Sequence, residues 1–142
     1  MKLNLPKLIR PIPLADYAPE MEFQEDGKTP AVVQVWVNPP QALLAQHGEL
    51  RQRADAANKR LGRDAPAGDD LKALALELSE VGQALAALYA ELWSQHADPE
   101  THWTADGVLA LSANDTNPDL FGWLTSRTVR LINEHRSGLR KN

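Results

Sequence analysis

The sequence predicts a mainly α-helical protein with a small β component, on three observations. Alanine and leucine, both strong helix formers, supply 20 and 21 of the 142 residues. Beyond residue 40, apolar residues recur at helical spacing in two long and two shorter segments. Seven of the ten prolines lie in the first forty residues, where they disfavour helix. We expect one domain: a proline-rich arm with a short β-hairpin (1–40), a long helix pair (41–96), and two shorter helices with a tail (97–142).

Within the arm, residues 21–24 and 32–37 have the apolar pattern of strands, and residues 25–28 between them favour a turn. We predict that these two segments pair as a hairpin. Because two strands alone are marginally stable in water, the hairpin must pack on the helices or gain strands from another copy of the protein.

The first long helix is predicted over residues 41–61, with Asn38 as its N-cap and Gly62 at its end. Its apolar face is interrupted by a histidine, since the residues at helical spacing are Leu43, His47, Leu50, Ala54, Ala57 and Leu61.

The second long helix is predicted over residues 71–96, started by Asp69 or Asp70 and stopped by Asp98-Pro99. The regular stripe favours a helical hairpin within one chain and leaves a coiled coil between copies open. Its spacing alternates between three and four residues along Leu71, Leu74, Leu78, Val81, Leu85, Leu88 and Leu92.

Two shorter helices are predicted in the last third of the chain. Thr104 has the position of an N-cap between the apolar pair Trp103 and Val108, which predicts a helix through about Ala113. The last helix opens at Asn117-Pro118-Asp119 and ends at Gly138, before a loose tail of four residues. Its expected face consists of Leu120, Leu124, Thr128, Leu131 and His135.

Composition excludes several kinds of chemistry. The chain has no cysteine, and this excludes a disulfide framework, a thiolate zinc site, an iron–sulfur cluster and a thiol nucleophile. No run of about 18 apolar residues occurs, and prolines interrupt the apolar opening, so we expect neither a membrane span nor a signal peptide. A cytoplasmic protein is the resulting expectation.

The net charge of −4 is unevenly distributed. Residues 69–119 carry ten acidic residues and one basic residue, whereas residues 41–68 and 120–142 each carry five basic residues against three and one acidic. This pattern suits either contact between copies or ordinary solvated helix faces. Because the basic residues lack interleaved aromatics and the isoelectric point is about 5.5, nucleic acid is not an expected partner.

Patterns for catalysis and metal binding are weak. The densest group of potential ligands is His96, Asp98, Glu100 and His102, but the two histidines are six residues apart with a proline between them. No regular element aligns such ligands, so we interpret the segment as a polar loop. No serine stands in a Gly-x-Ser-x-Gly turn, and no glycines form a phosphate-binding loop. We therefore expect no enzyme, no cofactor and no metal.

Large apolar residues are better candidates for function. Tyr89 and Trp93 lie one turn apart beside the leucine stripe, and we predict that they form a second apolar face that a partner covers. Tryptophan is also a frequent interface anchor. The predicted partner-binding residues are Leu85, Leu88, Tyr89, Leu92, Trp93 and Trp36.

Three segments carry a resemblance to a known family: residues 10–20 (RPIPLADYAPE), 33–40 (VQVWVNPP) and 119–124 (DLFGWL). With the order of elements, they resemble small tail-morphogenesis proteins of tailed bacteriophages, and tail assembly chaperones in particular. The resemblance implies a non-enzymatic protein of the bacterial cytoplasm that binds the tape-measure protein, the major tail protein or both, and it leaves a homo-oligomer open.

Two other classes of protein fit the same observations. One is a permanent virion component, such as a head–tail connector or a tail-completion protein. The other is a small helical adaptor or regulator, for which the basic residues of the helix predicted at 41–61 are the support.

Overall fold

The computed structural model describes residues 1, 3 and 5–141 of the chain. Within them, the fold is mainly helical with a two-stranded antiparallel sheet, as predicted. Single 3-10 turns occupy Leu14–Asp16, Pro19–Met21 and Pro99–Thr101. The regular elements are β1 (Ile9–Pro13), β2 (Val32–Trp36), α1 (Gln41–Asp64), α2 (Gly68–Leu92), α3 (Ala105–Ser112) and α4 (Leu120–Lys141).

The sheet pairs a different segment with β2 than the sequence predicts. Strand β2 itself lies where it is expected, but its partner is β1, with Ile12 opposite Val33. Residues 21–24 contribute only an isolated bridge between Phe23 and Pro30. The predicted hairpin is therefore wrong in its first strand, because two prolines in β1 masked the real one.

Prolines are tolerated in β1 because they occupy positions whose backbone nitrogens do not donate hydrogen bonds to β2. Just beyond the strand, the backbone N–H of Leu14 donates to the carbonyl of Ala31 at 2.9 Å. Bonded and non-bonded pairs alternate in an antiparallel ladder, so Ile12 also directs its N–H towards β2. Pro11 and Pro13 direct their nitrogens to the outside, where an edge strand tolerates proline.

Asn38 serves the N-terminal arm and not helix α1. Its side-chain oxygen accepts a 2.7 Å hydrogen bond from the backbone N–H of Leu8, and its amide donates to the carbonyl of Pro6 at 3.0 Å. Helix α1 begins after Pro40 with no side-chain cap. The prediction of Asn38 as the N-cap is wrong, since its side chain is already bonded to the arm.

Helices α1 and α2 form the predicted hairpin, with a shorter loop than expected. Helix α1 continues through Gly62 to Asp64, and Ala65 then adopts a left-handed φ of 41°. Helix α2 begins at Gly68 (φ 59°) without a side-chain cap, and Asp69 lies in its first turn. Gly62 as the end of the first helix is therefore wrong, because Ala65 takes the left-handed position that reverses the chain.

Helix α2 ends at Leu92, four residues before its predicted end. Asp98 instead accepts a hydrogen bond from the backbone N–H of Glu100 at 3.0 Å and opens a 3-10 turn. The position of Asp98 is thus that of a cap and not of a helix stop.

The C-terminal helices follow their predicted starts. The Thr104 hydroxyl accepts a 3.0 Å hydrogen bond from the N–H of Gly107, which confirms the N-cap of α3. Helix α4 continues past Gly138, so the predicted end there is wrong. Its buried side advances in steps of four residues, and Leu131 and His135 are only half-buried. The buried residues of α4 are Leu120, Leu124, Thr128 and Ile132.

The hydrophobic core lies where the sheet meets the last three turns of α2 and the two C-terminal helices. The outer part of the α1–α2 pair, residues 51–64 and 68–80, is different: only Ala57 and Leu74 are buried there, and neither belongs to the main core. This two-helix segment is the distal hairpin. It is held mainly by contacts between its own two helices.

Candidate functional site

The residues predicted to bind a partner mostly belong to the protein's own core. Leu88 and Tyr89 are each 3% exposed, Leu92 is 2% exposed and Trp93 is fully buried. The expected apolar face at Tyr89 and Trp93 is therefore not open on this fold. Side chains from later parts of the same chain cover it.

An aromatic cluster does the covering. Trp93 meets the ring of Trp103, from the segment before α3, with centroids 5.3 Å apart. Tyr89 stacks at a tilt on Trp93 at 5.5 Å and meets the edge of Phe121 from α4 at 6.2 Å. Such pairs contribute about 0.5–1.5 kcal/mol each beyond their burial. These aromatic residues join α2 to the C-terminal helices.

The other two predicted residues are half-buried. Leu85 lies beside Leu109 at a small cavity of about 110 Å³. Trp36 lies on the face of the sheet that points away from the core, with the ammonium of Lys7 5.0 Å from its ring centroid. Its indole Nε1 is buried without a hydrogen-bond partner among the described residues. Leu85 and Trp36 therefore do not form a continuous surface.

A cavity of about 150 Å³ lies between α1, α2 and α4. Its lining is mostly apolar, and a hydrogen-bonded pair stands in it: Nε2 of His47 is 2.8 Å from the hydroxyl of Tyr89. Asn133 and Arg136 of α4 are the further polar residues of the lining.

Burial sets the protonation of this pair. It raises the pKa of Tyr89 to about 12, and it lowers the pKa of His47, with a smaller contribution from the nearby charge of Arg51. Both side chains are therefore neutral at pH 7. The hydrogen bond therefore joins α1 to α2 through two neutral side chains.

The segment with the two further histidines is arranged as a loop. His96 and His102 meet edge to face with centroids 5.9 Å apart, Nε2 of His96 is hydrogen-bonded to Thr101, and Asp98 is used as a cap. In the part of the chain that the structure describes, no three His, Asp or Glu side chains are grouped as a metal site would require.

The distal hairpin presents apolar side chains that are not among the predicted partner-binding residues. Leu76 is 61% exposed and Leu71 is 43% exposed, both on α2. Arg53 of α1 donates a 2.7 Å hydrogen bond to Glu77 across the pair, and this contact lowers the pKa of the Glu77 carboxyl. The exposure of Leu76 could have been predicted from the sequence. Leu76 lies off the leucine stripe of α2, and in this part of the chain only α1 is available to cover α2.

None of the helices in the described residues has the length and hydropathy to span a membrane. The chain matches no protein-family model, and no curated protein and no solved structure is detectably similar to it.

Proposed function

We propose that the protein is a non-enzymatic tail assembly chaperone of a tailed bacteriophage, which holds the tape-measure protein, the major tail protein or both during tail assembly. The resemblance of residues 10–20, 33–40 and 119–124 supports this role. The structural observation that carries it is the distal hairpin, where Leu71 and Leu76 stand exposed on a helix pair with little core of its own.

A tape-measure protein is expected to be long, helical and apolar, so a protein that holds it needs exposed apolar helix surface. Helices commonly recognise one another through apolar side chains spaced by one turn. In the distal hairpin, Leu71 and Leu76 are five residues apart, about 140° around α2, so they offer two separate apolar contact points. Acidic side chains, among them Asp69, Asp70 and Glu80, accompany them and favour solubility.

The size of the apolar surface predicts weak contacts. Complete burial of a leucine contributes about 1.5–3 kcal/mol, and Leu71 and Leu76 have only part of their surface left to bury. Together they supply about 2–3 kcal/mol, far less than the ~8 kcal/mol of a micromolar complex. A long client that contacts several copies gains affinity by multivalency. Reversible holding by many copies follows from these magnitudes.

Co-expression with the tape-measure protein of the same phage tests the proposal. Leu76→Asp places a charge in the proposed surface, and we expect the soluble yield of the client to fall by at least half. Leu139→Asp is the matched control, because Leu139 is 64% exposed but lies on α4. Both variants should melt within a few degrees of the parent. Equal client yields with a folded Leu76→Asp protein would count against the distal hairpin.

Purified phage particles distinguish a chaperone from a permanent component. Quantitative mass spectrometry of finished tails should detect the tape-measure protein and not this chain. Retention of this chain in stoichiometric amounts would assign it to the virion and overturn the chaperone role.

A further inference from the structure

The cavity between α1, α2 and α4 has the size of a small ligand. Its volume is about 150 Å³, and a cavity of this volume accommodates benzene. Its lining comes from all three helices, among them Leu44 of α1, Leu88 and Leu92 of α2, and Ile132, Asn133 and Arg136 of α4. We refer to this space as the three-helix pocket.

The inner part of the three-helix pocket is apolar. Six of its ten lining residues are leucine, isoleucine or valine, and Leu88, Leu92 and Ile132 are buried in the core. The hydroxyl of Tyr89 and Nε2 of His47 are bonded to each other at 2.8 Å. An apolar body gains by lying against these side chains, whereas a polar body would lose its hydrogen bonds to water there.

The polar end of the three-helix pocket is formed by α4. Asn133 and Arg136 are three residues apart and are therefore neighbours on the helix surface. Asn133 is exposed and Arg136 is half-buried, so the lining extends from core residues to the protein surface. Both side chains carry N–H donors, and a ligand group that accepts hydrogen bonds can contact the two together.

Arg136 brings a positive charge to this end of the pocket. It is the single Arg, Lys, Asp or Glu residue among the described residues of the lining. The side-chain ion pairs between described residues join Arg53 to Glu77 and Arg130 to Glu134, and Arg136 takes part in neither. Its guanidinium is therefore available to an anion.

The surroundings of the pocket are also positive. Burial and then the charge of Arg51 lower the pKa of His47, and the same charge partly offsets the rise in pKa that burial causes in Tyr89. Residues 120–142 carry five basic residues and one acidic residue. An anionic ligand is attracted to such a pocket, and a cationic one is repelled.

We propose that the three-helix pocket binds a small monocarboxylate whose apolar body has about six carbons, the size of an aromatic ring. The body lies against Leu88, Leu92 and Ile132, and the carboxylate lies at the surface end, where Asn133 and Arg136 donate hydrogen bonds to it. A guanidinium suits this role because its planar fork matches the two oxygens of a carboxylate. The proposal does not depend on the chaperone role.

Benzoate can serve as the probe. Isothermal titration of the full-length protein should give a Kd of about 1 mM or tighter, as expected for a ligand of this size. Benzamide keeps the shape but lacks the charge, and it should bind at least tenfold more weakly. Acetate keeps the carboxylate but lacks the apolar body and should bind as weakly as benzamide. Absence of benzoate binding, or equal binding by benzamide or acetate, would overturn the proposal.

Substitutions on α4 locate the binding. Arg136→Gln removes the charge and should weaken benzoate binding at least tenfold. Arg127→Gln is the matched control and should change affinity less than twofold, because Arg127 is nine residues away, about 180° around α4, with its guanidinium over the ring of Trp123. Equal losses in both variants would indicate a general effect of charge and overturn the proposal.

Two further measurements test the apolar part of the site. Val129→Phe adds volume at the lining, so a variant that melts within a few degrees of the parent should bind benzoate at least tenfold more weakly. Amide NMR shifts of the parent protein need no variant, and the amides of Leu88, Ile132 and Asn133 should be among those that move most. Shifts confined to the sheet or to the distal hairpin would place benzoate elsewhere and overturn the proposal.

Discussion

Trp93 and Thr128 are joined by a hydrogen bond inside the core. The indole Nε1 of Trp93 donates to Oγ1 of Thr128 at 3.0 Å, and both side chains are fully buried. The Thr128 hydroxyl in turn donates to the backbone carbonyl of Leu124, one turn earlier on α4, at 2.8 Å. This short chain of donors fixes the rotation of α4 against α2.

Replacing Thr128 by valine should therefore destabilise the protein. Valine keeps the shape but leaves the indole N–H of Trp93 buried without an acceptor, which costs about 1–3 kcal/mol. Thr128→Ser keeps the hydroxyl and loses only a methyl group, so it should cost about 1 kcal/mol. Urea unfolding measures both. A valine variant that is as stable as the parent would show that the bond contributes nothing.

His47 should make the stability of the fold depend on pH. Its pKa is lowered from the ordinary 6.5 in the folded protein. Below that ordinary value, the unfolded chain takes up a proton that the folded protein resists, so stability is lost as the pH falls. We expect the free energy of unfolding to decrease between pH 7.5 and pH 5.

The comparison with His47→Gln isolates this contribution. Glutamine can still bond to the hydroxyl of Tyr89 but does not titrate, so its pH profile should be flatter than that of the parent. His102→Gln, at an exposed position, is the matched control for replacing a histidine elsewhere in the chain. Parallel profiles for the parent and His47→Gln would assign the pH dependence to other groups.

The register of the sheet predicts opposite effects for proline at neighbouring positions. Arg10 is exposed but directs its N–H towards β2, so Arg10→Pro removes a ladder hydrogen bond and should cost about 1–3 kcal/mol. Pro11→Ala adds an outward N–H and should change stability by less than about 1 kcal/mol. Arg10→Ala controls for the lost side chain. Equal costs for Arg10→Pro and Arg10→Ala would contradict the register.

At the tip of the distal hairpin, glycine occupies a helical position that favours alanine, and alanine occupies a left-handed position that favours glycine. Gly62 lies inside α1 with open space where a Cβ would be, and alanine there should stabilise the helix by about 0.5–1 kcal/mol. Ala65 has a φ of 41°, which costs an L-residue about 1–2 kcal/mol. Ala65→Gly should therefore also be stabilising.

Thermal unfolding of the single variants and the double variant checks this. Ala65→Val is the control, because a β-branched residue tolerates positive φ worst and should lower the melting temperature. A destabilised Ala65→Gly protein would mean that Ala65 is not left-handed in solution.

Much of the fold was predictable because helices carry local signals. The leucine stripe of α2, the cap at Thr104 and the start of α4 each follow from residues within two turns of each other. Strand β1 was not predictable in this way. Whether Pro11 breaks a strand depends on which side of the ladder its nitrogen faces, and that depends on a partner 23 residues later, Gln34.

The site was harder to predict than the fold. The apolar face of α2 is wider than one neighbouring helix can cover. Its sequence pattern is the same whether a partner protein or another part of the chain covers the rest. Tyr89 and Trp93 are covered by Phe121 and Trp103. These two residues come from α4 and from the segment before α3, about which the apolar pattern of α2 carries no information. Leu76 lacks such cover because the distal hairpin extends beyond α3 and α4.

Pro11 and Pro13 limit the ability of the sheet to pair with further strands. A cross-β fibre grows only from units that are open on both sides, since each unit must pair above and below. Here the outer side of β1 presents the ring nitrogens of Pro11 and Pro13 beside the single N–H of Ile9, and the outer side of β2 presents amides. A strand that paired with β2 would leave β1 as the only other edge, and Pro11 and Pro13 prevent regular pairing there. These two prolines therefore protect the sheet against growing into filaments.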